Sequence, residues 1–307
     1  MDREEGRAGQ TWYARTVTEA LLLCSDVRVD RLGVPEVDGL TLTADAPRVC
    51  LLGAPRALLL AAAGQLLPSR GQLRIRGARP RGLLTRGELA TAFFTDPLES
   101  SRTVKDHLHA SAELAGVEKA RRDALVTEAL TRMKLEAFAK TKLEKASAMV
   151  RRGTHLAAAL ATGAGTLVLS DPEEDMDSEA ARGFVLTVEK AIADKDQLVF
   201  RGRHAPMARA AFDLVLVFSG GTLIAQGAPA ELALATRTFF VRLSGDAAAF
   251  VEASAGRSWQ PESLGPSYLR VTLPDDTGTH AVFALAKDAG VCVTELSPVL
   301  APSPALK

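Results

Sequence analysis

The stretch VCLLGAPRALLLAAAGQLLPSRGQLRIRG, residues 49–77, reads as a short apolar strand, a glycine-bearing turn and an apolar helix closed by Pro68 and Gly71. Such a turn cradles phosphate when its backbone N–H groups point at the anion, a lysine neutralises charge and a hydroxyl holds magnesium. The turn here holds Ala54, Pro55, Arg56 and Ala57, with no lysine and no hydroxyl. Pro55 also removes a backbone donor. Gly53 fits the first glycine of a phosphate turn, and the Arg56 guanidinium could substitute as a phosphate contact. The alternative is a plain strand-turn-helix core. The five histidines form no cluster at metal-ligand spacing.

Lys plus Arg and Asp plus Glu both number 37, so the net charge is zero. That balance argues against a nucleic-acid binder, which needs a basic surface. With 47% hydrophobic residues among 307, the chain can bury a large core without disulfides. Cys24, Cys50 and Cys292 lie in apolar, strand-like contexts with no CxxC pair, and all three are expected to be buried, reduced thiols. No apolar run follows the opening MDREEGRAGQ, so no signal peptide is expected. Residues 49–67 are interrupted by Pro55, Arg56 and Gln65 and read as core rather than as a membrane span.

The elements that would position these residues follow from periodicity. Residues 1–20 read as a loose or marginally helical extension. VDGLTLTADAPRVCLLG alternates apolar and polar residues and then turns fully apolar, as expected where a sheet is covered on both faces. A helix is predicted over Leu58–Leu67. Residues 103–160 read as mainly helical, with Thr103 as an N-cap. TLVLSDPEEDMD is a buried strand running into acid, QLVFRGRHAP another strand and loop, and DLVLVFSGGTLIAQG a hairpin through Ser219-Gly220-Gly221. Buried strands alternating with helices imply an α/β fold with a parallel-rich sheet. Beyond Thr236 the pattern reads strand, helix, strand, helix, strand, enough for a small α+β domain. The organisation expected is an extension over 1–20, a main domain over 21–236, a small domain over 237–303 and a tail over 304–307.

The order of these landmarks resembles the nucleotide-binding subunit of an ABC transporter, of the type that serves bacterial export permeases. The resemblance implies a P-loop NTPase-like ABC ATPase domain with a helical subdomain, followed by the small appended domain. It also implies roles that several residues here do not match. Counted forward from Gly53, the family's GxxxxGK[ST] puts Leu58, Leu59 and Leu60 where Gly, Lys and Ser belong; counted back from Ala63-Gly64, about four residues are missing. The glutamine of the loop that couples to the permease falls on Thr95 or Phe94. In the signature motif Ser147 matches the family's Ser, while Ala148 and Met149 replace two glycines. Asp177 matches the last Asp of the acidic stretch. Counting back places Ser170 where a magnesium-linked Asp belongs, and Asp171 where the catalytic Glu belongs. His204 is in register with the family's γ-phosphate histidine, and the ring-stacking aromatic is missing, with Leu32 at about that point.

The resemblance therefore implies a pseudo-ATPase, cytoplasmic and peripheral to the inner membrane through a permease subunit. It would pair with a homologue or with itself and would need no cofactor. A divergent ATPase using ATP and magnesium, with Asp171 and His204 as its residual catalytic groups, is the alternative. An interaction module outside transport is a third reading.

Overall fold

The computed structural model describes residues 19–176, 178–202 and 211–299. Its centre is a six-stranded sheet built from β3 (Arg48–Leu52), β5 (Leu89–Ala92), β6 (Thr166–Leu169), β7 (Asp196–Arg201), β8 (Leu214–Ser219) and β9 (Thr222–Gly227). The order is β5-β6-β7-β3-β8-β9, parallel throughout except for the last, antiparallel strand. Side chains alternate between the two faces, so the middles of the central strands are apolar on both. Val49, Leu51, Leu198, Phe200, Leu216 and Phe218 enter one core. Cys50, Leu52, Val199, Val215 and Val217 enter the other.

The first core is closed by a three-stranded antiparallel sheet, ordered β2-β1-β4, of β1 (Leu22–Arg31), β2 (Val34–Ala44) and β4 (Arg70–Ile75). Helices α1 (Arg56–Ala62) and α2 (Pro80–Thr85) complete that layer. The second core is covered by α3 (Val104–Leu114), α4 (Lys119–Arg132), α5 (Ala148–Ala161) and α6 (Ser178–Ala191). Thr103 caps α3 as its sequence predicts, its hydroxyl oxygen accepting the Asp106 N–H at 3.1 Å.

Helix α1 is shorter and earlier than the predicted Leu58–Leu67. It stops at Ala62 because Gly64 takes a left-handed φ of +69°, and a Cβ there would lie 2.7 Å from Leu84. The apolar residues 66 and 67 that suggested a longer helix instead belong to the loop that leads to β4.

Residues 238–298 form a second sheet with its own core. It contains β10 (Thr238–Ser244), β11 (Gln260–Gly265), β12 (Tyr268–Thr272) and β13 (Cys292–Pro298), ordered β11-β12-β10-β13 and antiparallel. Helices α8 (Ala247–Ala253) and α9 (His280–Asp288) pack on it around Phe250, Trp259 and Val282. The remaining helix, α7 (Pro229–Ala235), leads into β10. Every element anticipated beyond Thr236 is present. The addition is β11, a polar edge strand that carries Pro261 where no ladder bond is needed.

Among the described residues no helix is long and apolar enough to cross a membrane. The cysteine expectation needs correction. Cys24 and Cys50 are buried, but Cys292 opens β13 and is exposed. Burial pushes both buried thiols up to about 12. A thiol reagent added to the native protein at neutral pH is expected to label Cys292 alone, and all three cysteines after denaturation. Mass spectrometry of the labelled chain checks this.

Candidate functional site

The C-terminal ends of β3, β6 and β7 converge with the start of α1, the place where an open α/β sheet presents its ligand crevice. Gly53 ends β3 with φ +66°, and its N–H donates to the Arg201 carbonyl at 2.9 Å. The glycine thus joins two strands. Pro55 is the N-cap of α1 and offers no side-chain cap. The cap comes from elsewhere in the chain: Glu36 of β2 accepts the Ala57 N–H on Oε2 at 2.9 Å. Its other oxygen pairs with Arg31. A carboxylate of the protein therefore stands at the amide a phosphate turn would offer to an anion. Leu58, Leu59 and Leu60, which a count forward from Gly53 sets at the Gly, Lys and Ser of a phosphate turn, pack against the apolar core. Arg56 is half exposed and faces Asp96, 4.0 Å away.

Ser170 is buried, and its hydroxyl oxygen accepts the Phe94 N–H at 3.0 Å. It ties the end of β6 to the segment after β5. Phe94 itself is buried, its ring edge-on to Phe184 at 5.7 Å, which leaves the exposed Thr95 to face solvent there. Asp171 spends both oxygens on backbone. Oδ1 accepts the Glu173 N–H at 2.9 Å, and Oδ2 accepts the Gly202 N–H at 2.6 Å. Ser147 caps α5 by accepting the Val150 N–H at 3.3 Å. Met149, one residue into that helix, is 39% exposed. Asp177 and His204 lie outside the described residues.

A magnesium–nucleotide complex needs free amides, a lysine-type cation and a carboxylate with a hydroxyl for the metal. The Ala57 amide is engaged by Glu36, Leu58–Leu60 pack into core, and Ser170 serves the Phe94 amide. Among the described residues no group of three His, Cys, Asp or Glu side chains could hold a metal. The described residues do not fit the complex.

The structure adds a group that the sequence reading did not single out. Arg201, last in β7, has a side chain only 2% exposed, on the face that carries Cys50. Its Nη2 pairs with Glu173 Oε2 at 2.6 Å, while its Nε and Nη1 have no hydrogen-bond partner among the described residues. Burial raises the pKa of Glu173, and Arg201 opposes that rise; Glu189 of α6 is raised for the same reason and opposed by the same cation. The signal available was an arginine ending an apolar strand in a chain whose neighbouring strand runs into acid. Nearby, His155 of α5 is hydrogen-bonded to the backbone of Asp96, yet burial, with His107 and Arg152 adding to it, pulls it down to about 4.

No protein-family model matches the sequence, and no curated protein matches it. Solved structures do match in fold. One is cbiO1 from Clostridium perfringens, described as part of the ABC transporter complex cbiONQ: TM-score 0.60, 17% identity, covering 70% of this chain and 90% of that one. Another is the ATP-binding subunit of an ABC transporter, with TM-score 0.58, 18% identity and coverage of 70% and 92%. A third is the ADP conformation of MJ1267, an ATP-binding cassette of an ABC transporter, with TM-score 0.58, 17% identity and coverage of 69% and 92%. The chain has the α/β fold of ABC transporter ATP-binding subunits.

Arg201→Met leaves Glu173 and Glu189 buried without their cation. At neutral pH this is expected to cost about 3–5 kcal/mol, the usual penalty for orphaning a buried charge. A carboxyl whose folded pKa is raised stabilises while protonated and loses that contribution as pH rises through the folded pKa. The deficit of the variant should therefore shrink as pH is lowered toward the ordinary carboxylate range. Urea denaturation of both proteins across that range measures it.

Proposed function

We propose that this chain is a non-catalytic subunit on the ABC ATP-binding fold, acting as scaffold or regulator of a membrane export complex. The observation that carries the reading is the Glu36 carboxylate on the Ala57 amide. An anion supplied by the chain itself takes the donor that a nucleotide phosphate would need, and a second anion there would meet repulsion. Ser170 and Asp171, which stand where metal-linked and water-polarising carboxylates belong, are engaged in holding strand ends together. The fold remains while the groups it would serve are redirected to structure.

The partner reading rests on the fold and on the neighbour described as part of a transporter complex. In this reading the chain is cytoplasmic and peripheral to the inner membrane, held there by a permease. The permease contact uses the segment 96–116, whose loop is exposed and whose α3 ends on Leu114, 88% exposed. A homologue or a second copy would pack on the face carrying Met149. With both the phosphate turn and the signature altered, pairing with an intact homologue leaves neither interfacial site complete.

Calorimetric titration of the full chain with Mg-ATP into the millimolar range is expected to give no saturable heat. The accompanying thermal shift should stay below about 1 °C. Micromolar binding overturns the non-nucleotide reading, and hydrolysis lost in Asp171→Ala would replace it with the divergent ATPase. Separately, the chain is expected to copurify with a permease from membranes. Leu114→Glu combined with Lys105→Glu should abolish that; retention of the permease by the variant counts against the assigned surface.

A further inference from the structure

Strand β4 is the outer strand of the β2-β1-β4 sheet, paired on one side only. Its register sets Leu23 opposite Arg74 and Cys24 opposite Leu73, and the Arg76 N–H donates to the Leu21 carbonyl at 3.3 Å. In an antiparallel ladder bonded and non-bonded pairs alternate, so Arg74 and Arg76 turn their backbone groups toward β1, while Leu73 and Ile75 turn theirs away. Ile75 is satisfied on that side by exchanging bonds with Ala78 at 2.8 and 3.0 Å. Among the described residues the Leu73 N–H and C=O have no such partner.

The open edge looks into a cavity of about 490 Å³. Its apolar surface comes from Ala61, Leu66, Leu67 and Pro80, and three arginines, Arg74, Arg79 and Arg81, line it as well. Other arginines in the same stretch have acids: Arg70 pairs with Asp26 and Asp38, Arg76 with Asp196, Arg86 with Glu88. Among the described residues no carboxylate lies at ion-pair distance from Arg74, Arg79 or Arg81; Arg74 bonds Gln72 and the Gly77 carbonyl. A strand edge with free backbone groups, an apolar trough and three guanidinium groups that lack a carboxylate partner among the described residues fit one class of occupant.

We propose that this trough binds an extended acidic peptide segment of a partner protein. The segment adds a short strand beside Leu73, places an aliphatic side chain in the trough and pairs its carboxylates with Arg74, Arg79 and Arg81. The trough shape and the free strand edge favour a peptide over a lipid headgroup, which needs no backbone partner. The site lies on the antiparallel-sheet layer and is independent of whether nucleotide binds beside Gly53.

The test is fluorescence polarisation of the full chain with a labelled peptide, Asp-Glu-Leu-Asp-Val-Glu. Saturable binding is expected, weakening as salt is raised. Arg79→Glu with Arg81→Glu should weaken it by at least about tenfold. Both side chains are exposed, so the melting temperature of the variant should match the parent. Methylating the peptide amide nitrogens one at a time should reveal one position whose loss of N–H costs a similar factor, the mark of strand addition. Absence of saturable binding overturns the proposal, as does binding indifferent to the two substitutions or to every methylation. Tighter binding of anionic phospholipid vesicles, lost in the same variant, would reassign the site to a membrane surface. Tighter binding of a peptide of residues 1–18 would reassign it to the chain's own beginning.

Discussion

The structure depends on one constraint: the strands of the central parallel sheet are covered on both faces, so whatever is polar at their ends must be answered from within. The Asp171 carboxylate supplies much of the answer. By accepting from Glu173 and Gly202 it links the end of β6 to the end of β7. The Gly53 amide continues the link to β3 through the Arg201 carbonyl, and Ser170 extends it to the segment after β5. Arg152 of α5 reaches the Pro172 carbonyl at 3.3 Å and so fastens the helical layer to the same turn. Four strand ends and one helix meet at a single short acidic loop, held by the Ser170 and Asp171 side chains, the Gly53 amide and the Arg152 guanidinium. Each such bond contributes about 1 kcal/mol in net terms, but leaving a buried partner unmet costs more.

This arrangement explains how a crevice with the outline of a ligand site can be filled by structure. In a P-loop fold the amides, the hydroxyl and the carboxylates at the strand ends are aimed outward at phosphate and metal. Here they are aimed at one another and at Glu36. Arg201 is the cost of that choice, a guanidinium buried against two carboxylates that burial has driven toward their neutral forms. Such pairs add little to stability relative to an apolar core, yet they cannot be half removed.

Much of the fold was legible because its signals are local. The uninterrupted apolar runs at 49–52 and 167–169, the Thr103 cap and the Ser219-Gly220-Gly221 turn each specify an element without reference to the rest of the chain. The errors arose where tertiary context decides. Helix α1 ends early because Gly64 takes a left-handed φ close against Leu84 of α2, where a side chain would clash. Strand β11 is a polar segment recruited by the register of β12. Cys292 looks buried by its neighbours in sequence, but it sits at the start of β13. At the site, the positions of Gly53, Ser147, Ser170 and Asp171 on loops and helix starts followed from the order of elements. Glu36, separated from Ala57 by 21 positions, and Arg201, whose partner Glu173 comes from another strand's loop, did not. No periodicity joins residues that meet only once separate elements have packed.

The Glu36 cap has a consequence for how this chain behaves in a cell. Proteins that take a ligand at such a position gain folding free energy from it, and their folded fraction rises and falls with the ligand's concentration. A tethered carboxylate has an effective concentration fixed by the covalent chain, the same in a starved cell as in a growing one. In the proposed non-nucleotide reading, the conformation around α1 is thereby insulated from the energy charge of its surroundings. An assembly built on this chain would keep one fixed point while any energised neighbour cycles against it.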